Sequence, residues 1–261
     1  MQARLFQLDA FTSRRFSGNP AAVMLFEAYP DASVMQALAA ENNLAETAFV
    51  VREGDDYRIR WFTPTVEVPL CGHATLASAA VVLERLEAGR ETVTFHSASG
   101  PLIVRRSERG YVMDFPVRRW KAAEAPEGLA EALGVAVAET LWDGFNFIAR
   151  LGSADEVRGL RPDLAAIGRL PCAGVVVTAA GDGGYDCVSR YFAPAKGIPE
   201  DPVTGGAHCA LVPFWAERLR KRELHAFQAS ARGGELYCRL DGDRVHLEGA
   251  CVFYLEGVAR W

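Results

Sequence analysis

The chain lacks any long hydrophobic run. None of its apolar stretches approaches the roughly 18 residues that predict a membrane-spanning helix. It also lacks a basic excess, since its formal net charge is −5 at pH 7, and binding to nucleic acid needs a basic face. We therefore expect neither a membrane nor a nucleic acid partner. The first residues lack the basic-then-apolar pattern of a secretory signal, so we expect a cytoplasmic protein.

Paired cysteines and nucleotide-binding motifs are also missing. The six cysteines are scattered without a C-x-x-C spacing, and the five histidines are scattered too. This pattern predicts reduced thiols, most of them small core residues, and no metal site. The chain contains no P-loop, no dinucleotide-binding glycine fingerprint and no G-x-S-x-G elbow.

What the chain does contain is an internal repeat. The segment RWFTPTVEVP, which begins at Arg60, matches RYFAPAKGIP, which begins at Arg190. After an insertion of three residues in the second copy, CGHATLASAAVVLERL (71–86) aligns with TGGAHCALVPFWAERL (204–219). A repeat of this length predicts a duplicated structural unit. The alternative is that two unrelated strand–turn–helix segments look alike.

The repeat predicts the fold. Each copy has an aromatic strand, a glycine-containing turn, a helix and three further strand-like segments. The first ten or so residues of each helix are apolar or small on every side, which indicates a helix enclosed on all faces. We predict an α+β fold of two pseudo-symmetric lobes, each a barrel-like mixed β-sheet wrapped around a central helix. The lobes comprise residues 1–118, with helix 73–86, and 119–261, with helix 205–220; the last strand is free to return to the first lobe.

The start of each central helix is a candidate binding site. Free backbone N–H groups at a helix start favour anions, so a small carboxylate could bind where both helix starts open on one cleft between the lobes. The candidate substrate-binding residues are Gly72, Thr204, Gly205 and Gly206. The alternative for the glycines is that they only allow tight turns.

Three side chains are candidates for proton chemistry. Asp201 lies just before the second helix, His73 lies in the first turn of the first helix, and Glu46 begins a strand. Each also has a structural alternative: a helix-start residue for Asp201, a structural histidine for His73 and a surface carboxylate for Glu46. At a helix start the cationic form of His73 is disfavoured, which leaves a neutral imidazole able to donate or accept.

Cys71 is a fourth candidate, because the helix dipole can lower the pKa of a thiol at this position. Its partner in the repeat is Thr204, however, so a two-cysteine racemase would lack its second thiol in register. Cys209 lies one turn inside the second helix, where packing is the simpler role.

Four segments of the chain resemble one known family. FSGNPAAV, NNLAETAFV, FTPTVEVPLCGHATLA and EDPVTGGAHCAL, which run from Phe16 to Leu211, are similar to the PhzF-like family of phenazine biosynthesis. The resemblance implies a diaminopimelate-epimerase-like fold, no cofactor, a homodimer and a site between the lobes. It places the family's catalytic residues on Glu46, His73 and Asp201.

The resemblance also implies a reaction. Glu46 is expected to act as general acid and base, moving a proton and a double bond within a small carboxylate, cyclic compounds included. His73 and Asp201 are expected to hold an amino or hydroxyl group of the substrate. The family commonly has EDPVTGSA where this chain has EDPVTGGA, so Gly206 removes a hydroxyl. We therefore expect a related compound rather than the phenazine precursor, a dihydro-hydroxyanthranilate, as substrate.

Two further hypotheses remain open at this point. One is a racemase or epimerase that uses Cys71 as a base. The other is a non-catalytic protein that binds a small ligand or acts as a scaffold on the same fold.

Overall fold

A computed structural model describes residues 1–261, and the chain divides into two compact units. The first unit comprises residues 1–114 and 247–261, and the second comprises 115–246. The C-terminal strand therefore belongs to the first unit. No helix has both the length and the apolar character needed to cross a membrane.

The first unit contains a set of strands and two helices of ten residues or more. Its elements are β1 (Gln2–Ala10), β2 (Asn19–Phe26), α1 (Ala32–Asn42), β3 (Glu46–Glu53), β4 (Asp56–Phe62), β5 (Glu67–Val68), α2 (Gly72–Val81), β6 (Thr92–Ser97), β7 (Gly100–Ser107) and β8 (Gly110–Pro116), whose last residues pass the unit boundary.

The second unit has a similar order of elements. They are β9 (Lys121–Ala122), α3 (Leu129–Leu133), β10 (Glu139–Trp142), β11 (Asn146–Arg150), α4 (Ala154–Gly159), α5 (Leu164–Ile167), β12 (Gly174–Ala180), β13 (Cys187–Ala193), β14 (Ile198–Asp201), α6 (Gly205–Leu219), β15 (Glu223–Gln228), β16 (Gly234–Asp241) and β17 (Arg244–Gly249), which runs past the boundary; β18 (Cys251–Arg260) returns to the first unit.

The strand pairings repeat from one unit to the other. In the first unit, β1–β2 is antiparallel, β2–β3 parallel, β3–β4 antiparallel, β4–β6 parallel and β6–β7 antiparallel. The second unit has the same series in β10–β11, β11–β12, β12–β13, β13–β15 and β15–β16. Each parallel pair is joined through helical segments, because a parallel connection must cross over the sheet. The predicted α+β class is confirmed.

The helix α2 is enclosed by its own unit. It packs against β1, β2, β3 and β18, and every residue after Gly72 is buried. Two polar side chains are tolerated inside because they bond to the backbone one turn earlier. Thr75 Oγ1 donates to the carbonyl oxygen of Cys71 at 2.6 Å, and Ser78 Oγ donates to that of Ala74 at 2.7 Å.

The two central helices differ in detail from their predicted form. The expected helix 73–86 begins at Gly72, and its last turn, Val82–Leu86, winds as a π-helix. The second helix extends over Gly205–Leu219 and accommodates Pro213 in its interior. Both begin after a residue with extended backbone, Cys71 or Thr204, so the repeat aligns equivalent positions.

The close packing of α2 makes a direct prediction. Ala77 is fully buried, so leucine at this position must displace its neighbours. We expect Ala77→Leu to lower the free energy of unfolding by roughly 1–3 kcal/mol in urea denaturation. The control is Ala88→Leu at an exposed position; an equal loss in both variants would show that α2 is not tightly enclosed.

Candidate active site

The start of α2 brings together side chains from three elements of the first unit. Cys71 and His73 lie at the first turn of α2, Asn19 is the first residue of β2, and Glu46 is the first residue of β3. The parallel pairing of β2 with β3 sets Ala21 opposite Glu46. Asn19 and Glu46 therefore stand at the same ends of neighbouring strands, facing the helix start.

His73 connects the other three residues of this group. Its Nδ1 lies 3.1 Å from Asn19 Nδ2 and 3.5 Å from Cys71 Sγ, while its Nε2 lies 3.3 Å from Glu46 Oε2. The amide nitrogen of Asn19 can only donate, so Nδ1 accepts. In the neutral ring the proton is then on Nε2, which lies close to the Glu46 carboxylate without making a hydrogen bond to it. The amide of Asn19 thus orients the imidazole, and the ring N–H lies on the side of Glu46.

Burial fixes the charge of this histidine. The side chain of His73 is 5% exposed and that of Glu46 is 12% exposed. Burial lowers the pKa of His73 from its ordinary value near 6.5 to about 3. The 3.3 Å contact with Glu46 is therefore the approach of a neutral imidazole to the carboxylate and not an ion pair.

The same residues include donor atoms suited to a metal ion. One donor atom each from Glu46, Cys71 and His73 lie within 4.8 Å of one another. In the present geometry, however, Cys71 faces Nδ1 of the imidazole and Glu46 faces Nε2. In this arrangement the lone pair of Nδ1 accepts from the Asn19 amide and Nε2 carries the ring proton, so an ion would have to displace one of them.

The start of α6 has a different arrangement in the second unit. Asp201 ends β14, Thr204 precedes the first turn of α6, and Gln228 ends β15. The backbone N–H of Thr204 donates to Gln228 Oε1 at 2.8 Å. Gln228 Nε2 donates to the carbonyl oxygen of Asp201 at 2.7 Å and to Thr204 Oγ1 at 3.1 Å. Gln228 is buried, so these bonds lie away from bulk water.

These bonds determine the direction in which the hydroxyl of Thr204 donates its proton. Because Thr204 Oγ1 accepts from the amide of Gln228, its own proton is free to be donated, and it goes to Asp201 Oδ2. Thr204 stays a predicted substrate-binding residue, and in the structure its hydroxyl donates to Asp201. Gly205 and Gly206 form the first turn of α6, as Gly72 does for α2.

A second buried histidine lies in the first turn of α6. His208 Nδ1 lies 2.8 Å from the carbonyl oxygen of Thr204, which can only accept, so Nδ1 carries the proton. Its Nε2 is buried and bonds to no protein atom. Burial lowers the pKa of His208 to about 4. This imidazole is therefore also neutral near pH 7.

Three of these residues, Asn19, Gln228 and His208, were not among the candidates chosen from the sequence. Asn19 lies within the FSGNPAAV segment, which resembles the family. The sequence therefore marked its surroundings, but it did not indicate His73 as its partner. Gln228 carried no signal at all, because it reaches Asp201 and Thr204 only through the pairing of β13 with β15. Conversely, the structure joins Glu46 with His73 in the first unit and Asp201 with Thr204 in the second.

Comparison with known proteins decides the family. The family model described as phenazine biosynthesis-like protein, PhzC-PhzF, matches residues 8–257. The chain belongs to the PhzF family. An uncharacterized isomerase from Pseudomonas aeruginosa is 51% identical over 260 residues, which cover 100% of this chain and 99% of that relative. The human phenazine biosynthesis-like domain-containing protein is 38% identical, with 98% and 99% covered.

Solved structures agree with this membership. A PhzF family protein from Enterococcus faecalis superposes with a TM-score of 0.96 at 42% identity, with both chains fully covered. A probable proline racemase from Agrobacterium radiobacter shares the fold alone, with a TM-score of 0.62 at 12% identity over 99% of this chain and 92% of that one. The protein is thus an isomerase-type member of the PhzF family, and the predicted resemblance is confirmed.

The bonds around Thr204 predict a loss of stability in a variant of nearly identical shape. Thr204→Val deprives Asp201 Oδ2 of a donor and Gln228 Nε2 of an acceptor, both in a region shielded from water. We expect the free energy of unfolding in urea to fall by roughly 1–3 kcal/mol. Thr204→Ser keeps the hydroxyl and is expected to lose less. Equal stability of the two variants would contradict the assigned bonds.

The neutral His208 predicts a pH dependence. Its pKa is about 4 in the folded protein and ordinarily near 6.5 in an unfolded chain. The unfolded state therefore binds more protons between these values, and the stability present above about pH 6.5 is lost as pH falls toward 4.

We expect His208→Asn, which retains an N–H donor near the position of Nδ1, to remove up to about 1.4 kcal/mol per pH unit from this slope. Urea denaturation between pH 6.5 and pH 4.5 measures it. His96→Asn, at a side chain that is 48% exposed, serves as the control. An unchanged slope in His208→Asn would mean that this imidazole is protonated in the folded protein.

Proposed function

We propose that the protein is a cofactor-independent isomerase that moves a proton, and with it a double bond, within a small unsaturated carboxylate. The observation that supports this most directly is the contact of Glu46 Oε2 with His73 Nε2 at 3.3 Å. A neutral imidazole beside a carboxylate does not neutralise it as an imidazolium would. Such a carboxylate is suited to accept a proton from carbon and return one.

The reaction proceeds in two proton transfers. The Glu46 carboxylate takes a proton from a carbon adjacent to a C=C or C=O group, so the C–H bond breaks and an O–H bond forms. The electron pair of the broken bond delocalises into the conjugated system as an enolate-like anion. The carboxylic acid of Glu46, whose O–H proton exchanges with solvent, then gives a proton to another carbon of the substrate, which shifts the double bond and regenerates the carboxylate.

The remaining groups bind the substrate under this proposal. Backbone N–H groups at the starts of α2 and α6 are suited to a carboxylate and to developing negative charge. Asp201, with one carboxylate oxygen held by Thr204, is suited to accept from an amino or hydroxyl group of the substrate. The proposal requires that both helix starts bind one substrate molecule.

A second candidate is a racemase or epimerase in which Cys71 is the base. It is favoured by the 3.5 Å contact of Cys71 Sγ with His73 Nδ1, because an imidazole acceptor can help a thiol to ionise. The start of α6 offers no matching thiol. Cys209 is buried, its Sγ donates to the carbonyl oxygen of Gly205 at 3.4 Å, and burial raises its pKa to about 12.

Exchange with solvent deuterium tests the Glu46 proposal. The protein is incubated in deuterated water with a panel of small unsaturated and cyclic carboxylates, and deuterium at carbon is measured by NMR. We expect Glu46→Gln to slow exchange by about 10²-fold or more, because amide cannot act as the base. Glu53→Gln, at the exposed end of the same strand, is the matched control and is expected to exchange at the wild-type rate.

The same assay separates the alternatives. Wild-type exchange by Glu46→Gln together with its loss in Cys71→Ser would identify the thiol as base. Loss in Glu46→Gln with retention in Cys71→Ser supports the isomerase proposed here. If the wild-type protein exchanges none of the compounds but binds some of them, the non-catalytic ligand-binding hypothesis prevails.

A further inference from the structure

Gly206 leaves an open position on the first turn of α6. Its φ lies outside the left-handed region, so the backbone there does not require glycine. A Cβ atom built on it would have a single neighbour within 4 Å, Nη2 of Arg118 at 3.8 Å. Gly206 is also partly exposed, whereas Gly205 and Ala207 on either side are buried. The absence of a side chain therefore exposes a guanidinium group beside the helix start.

Arg118 is anchored on two sides. Its backbone N–H donates to the carbonyl oxygen of Cys209 in α6 at 3.0 Å. Its Nη1 contacts Oδ2 of Asp143 at 3.4 Å, and the Asp143 side chain is completely buried. Asp143 is itself held in place, because its Oδ1 accepts the backbone N–H groups of Phe145 at 2.9 Å and Asn146 at 2.6 Å. The guanidinium is thus positioned by a fixed carboxylate.

Part of the guanidinium remains available. Its Nε and Nη2 donate to no protein atom, and the side chain is 31% exposed. Its Cζ lies 5.2 Å from the centre of the Phe145 ring, and Phe145 is 60% exposed. An exposed aromatic face next to a guanidinium with unused donors is suited to a planar group that bears a carboxylate.

We propose that Arg118, Phe145 and the open face of Gly206 form a subsite for a planar carboxylate, in which the guanidinium binds the carboxylate and the Phe145 ring packs against the attached unsaturated group. This assignment rests on the proposed function in one respect: the bound carboxylate is taken to belong to the substrate of the isomerase. A hydroxyl-bearing side chain at position 206 would occupy the space that the carboxylate uses here. Arg118 is then the group that discriminates charged from neutral substrates.

Binding of benzoate tests the subsite, with benzamide as a neutral molecule of the same shape. Isothermal titration calorimetry at pH 7.5 is carried out on the wild type, Arg118→Gln, Arg118→Lys and Arg119→Gln. We expect Arg118→Gln to weaken benzoate binding about tenfold or more and to leave benzamide binding unchanged. The benzoate affinity of Arg118→Lys is expected to lie between those of the wild type and Arg118→Gln, because lysine keeps the charge but lacks the planar guanidinium.

Arg119→Gln is the matched control. It removes the same charge from the adjacent, exposed residue and is expected to bind benzoate as the wild type does. An equal loss in Arg118→Gln and Arg119→Gln would reduce the effect to net charge and overturn the proposal. Wild-type affinity in Arg118→Gln, or no benzoate binding by the wild-type protein, would also overturn it.

A second variant probes the open space without touching the charge. Gly206→Leu is expected to weaken benzoate and benzamide alike by about tenfold or more, because its side chain fills the position beside Arg118. Unchanged binding of both would contradict the subsite, and thermal unfolding verifies that the variants are folded.

Glu46→Gln separates this proposal from the catalytic one. It is expected to bind benzoate with wild-type affinity while losing deuterium exchange. Retained exchange in Glu46→Gln would refute the catalytic role of Glu46 and leave the benzoate result standing. Retained benzoate affinity in Arg118→Gln would refute the subsite and leave the exchange result standing.

Discussion

The neutral imidazole of His73 lies between an amide and a carboxylate, and the proposed base chemistry of Glu46 depends on its remaining neutral. Burial of the α2 start removes the water that would stabilise the cation. Asn19 then determines which ring nitrogen carries the proton, so that the ring N–H lies on the side of Glu46. A protonated ring would instead pair its charge with the carboxylate and make it a weaker base. Under the proposed function, the enclosure of α2 therefore also keeps the base strength of Glu46 from being lowered by an imidazolium.

The second unit has the same architecture, but the side chains at the start of its helix are different. Thr204 stands where Cys71 stands in the first unit, and each precedes a buried helix. The hydroxyl of Thr204 is bonded to Asp201 and oriented by Gln228. The two helix starts thus have similar backbone geometry but different side chains, an imidazole beside a carboxylate in one and an aspartate bonded to Thr204 in the other.

Charge in the second unit is arranged around buried carboxylates. The carboxylate of Asp143 accepts hydrogen bonds from two backbone N–H groups and from the side-chain amide of Asn146. Its contact with the guanidinium of Arg118 is therefore long, and the two groups do not form a tight ion pair. The first turn of α6 therefore lies beside the guanidinium of Arg118, which is held in position and has N–H groups that donate to no protein atom.

The sequence by itself determined the duplicated α+β organisation, the two buried helices and the family, because periodicity, repeats and contiguous segments are local properties of a chain. Glu46, His73 and Asp201 were selected as candidates by residue type and by their place before or within those segments. Their bonding partners could not be predicted. Asn19 reaches His73 across 54 positions and Gln228 reaches Thr204 across 24.

Only the tertiary structure decided those partners, and with them the tautomer of His73 and the role of the Thr204 hydroxyl. The direction of each hydrogen bond depends on which strand ends meet at a helix start, and that is set by sheet register rather than by any local pattern. The same holds for Gly206. Its replacement of the family's serine was visible in the sequence, but the guanidinium beside the open position was brought there by folding.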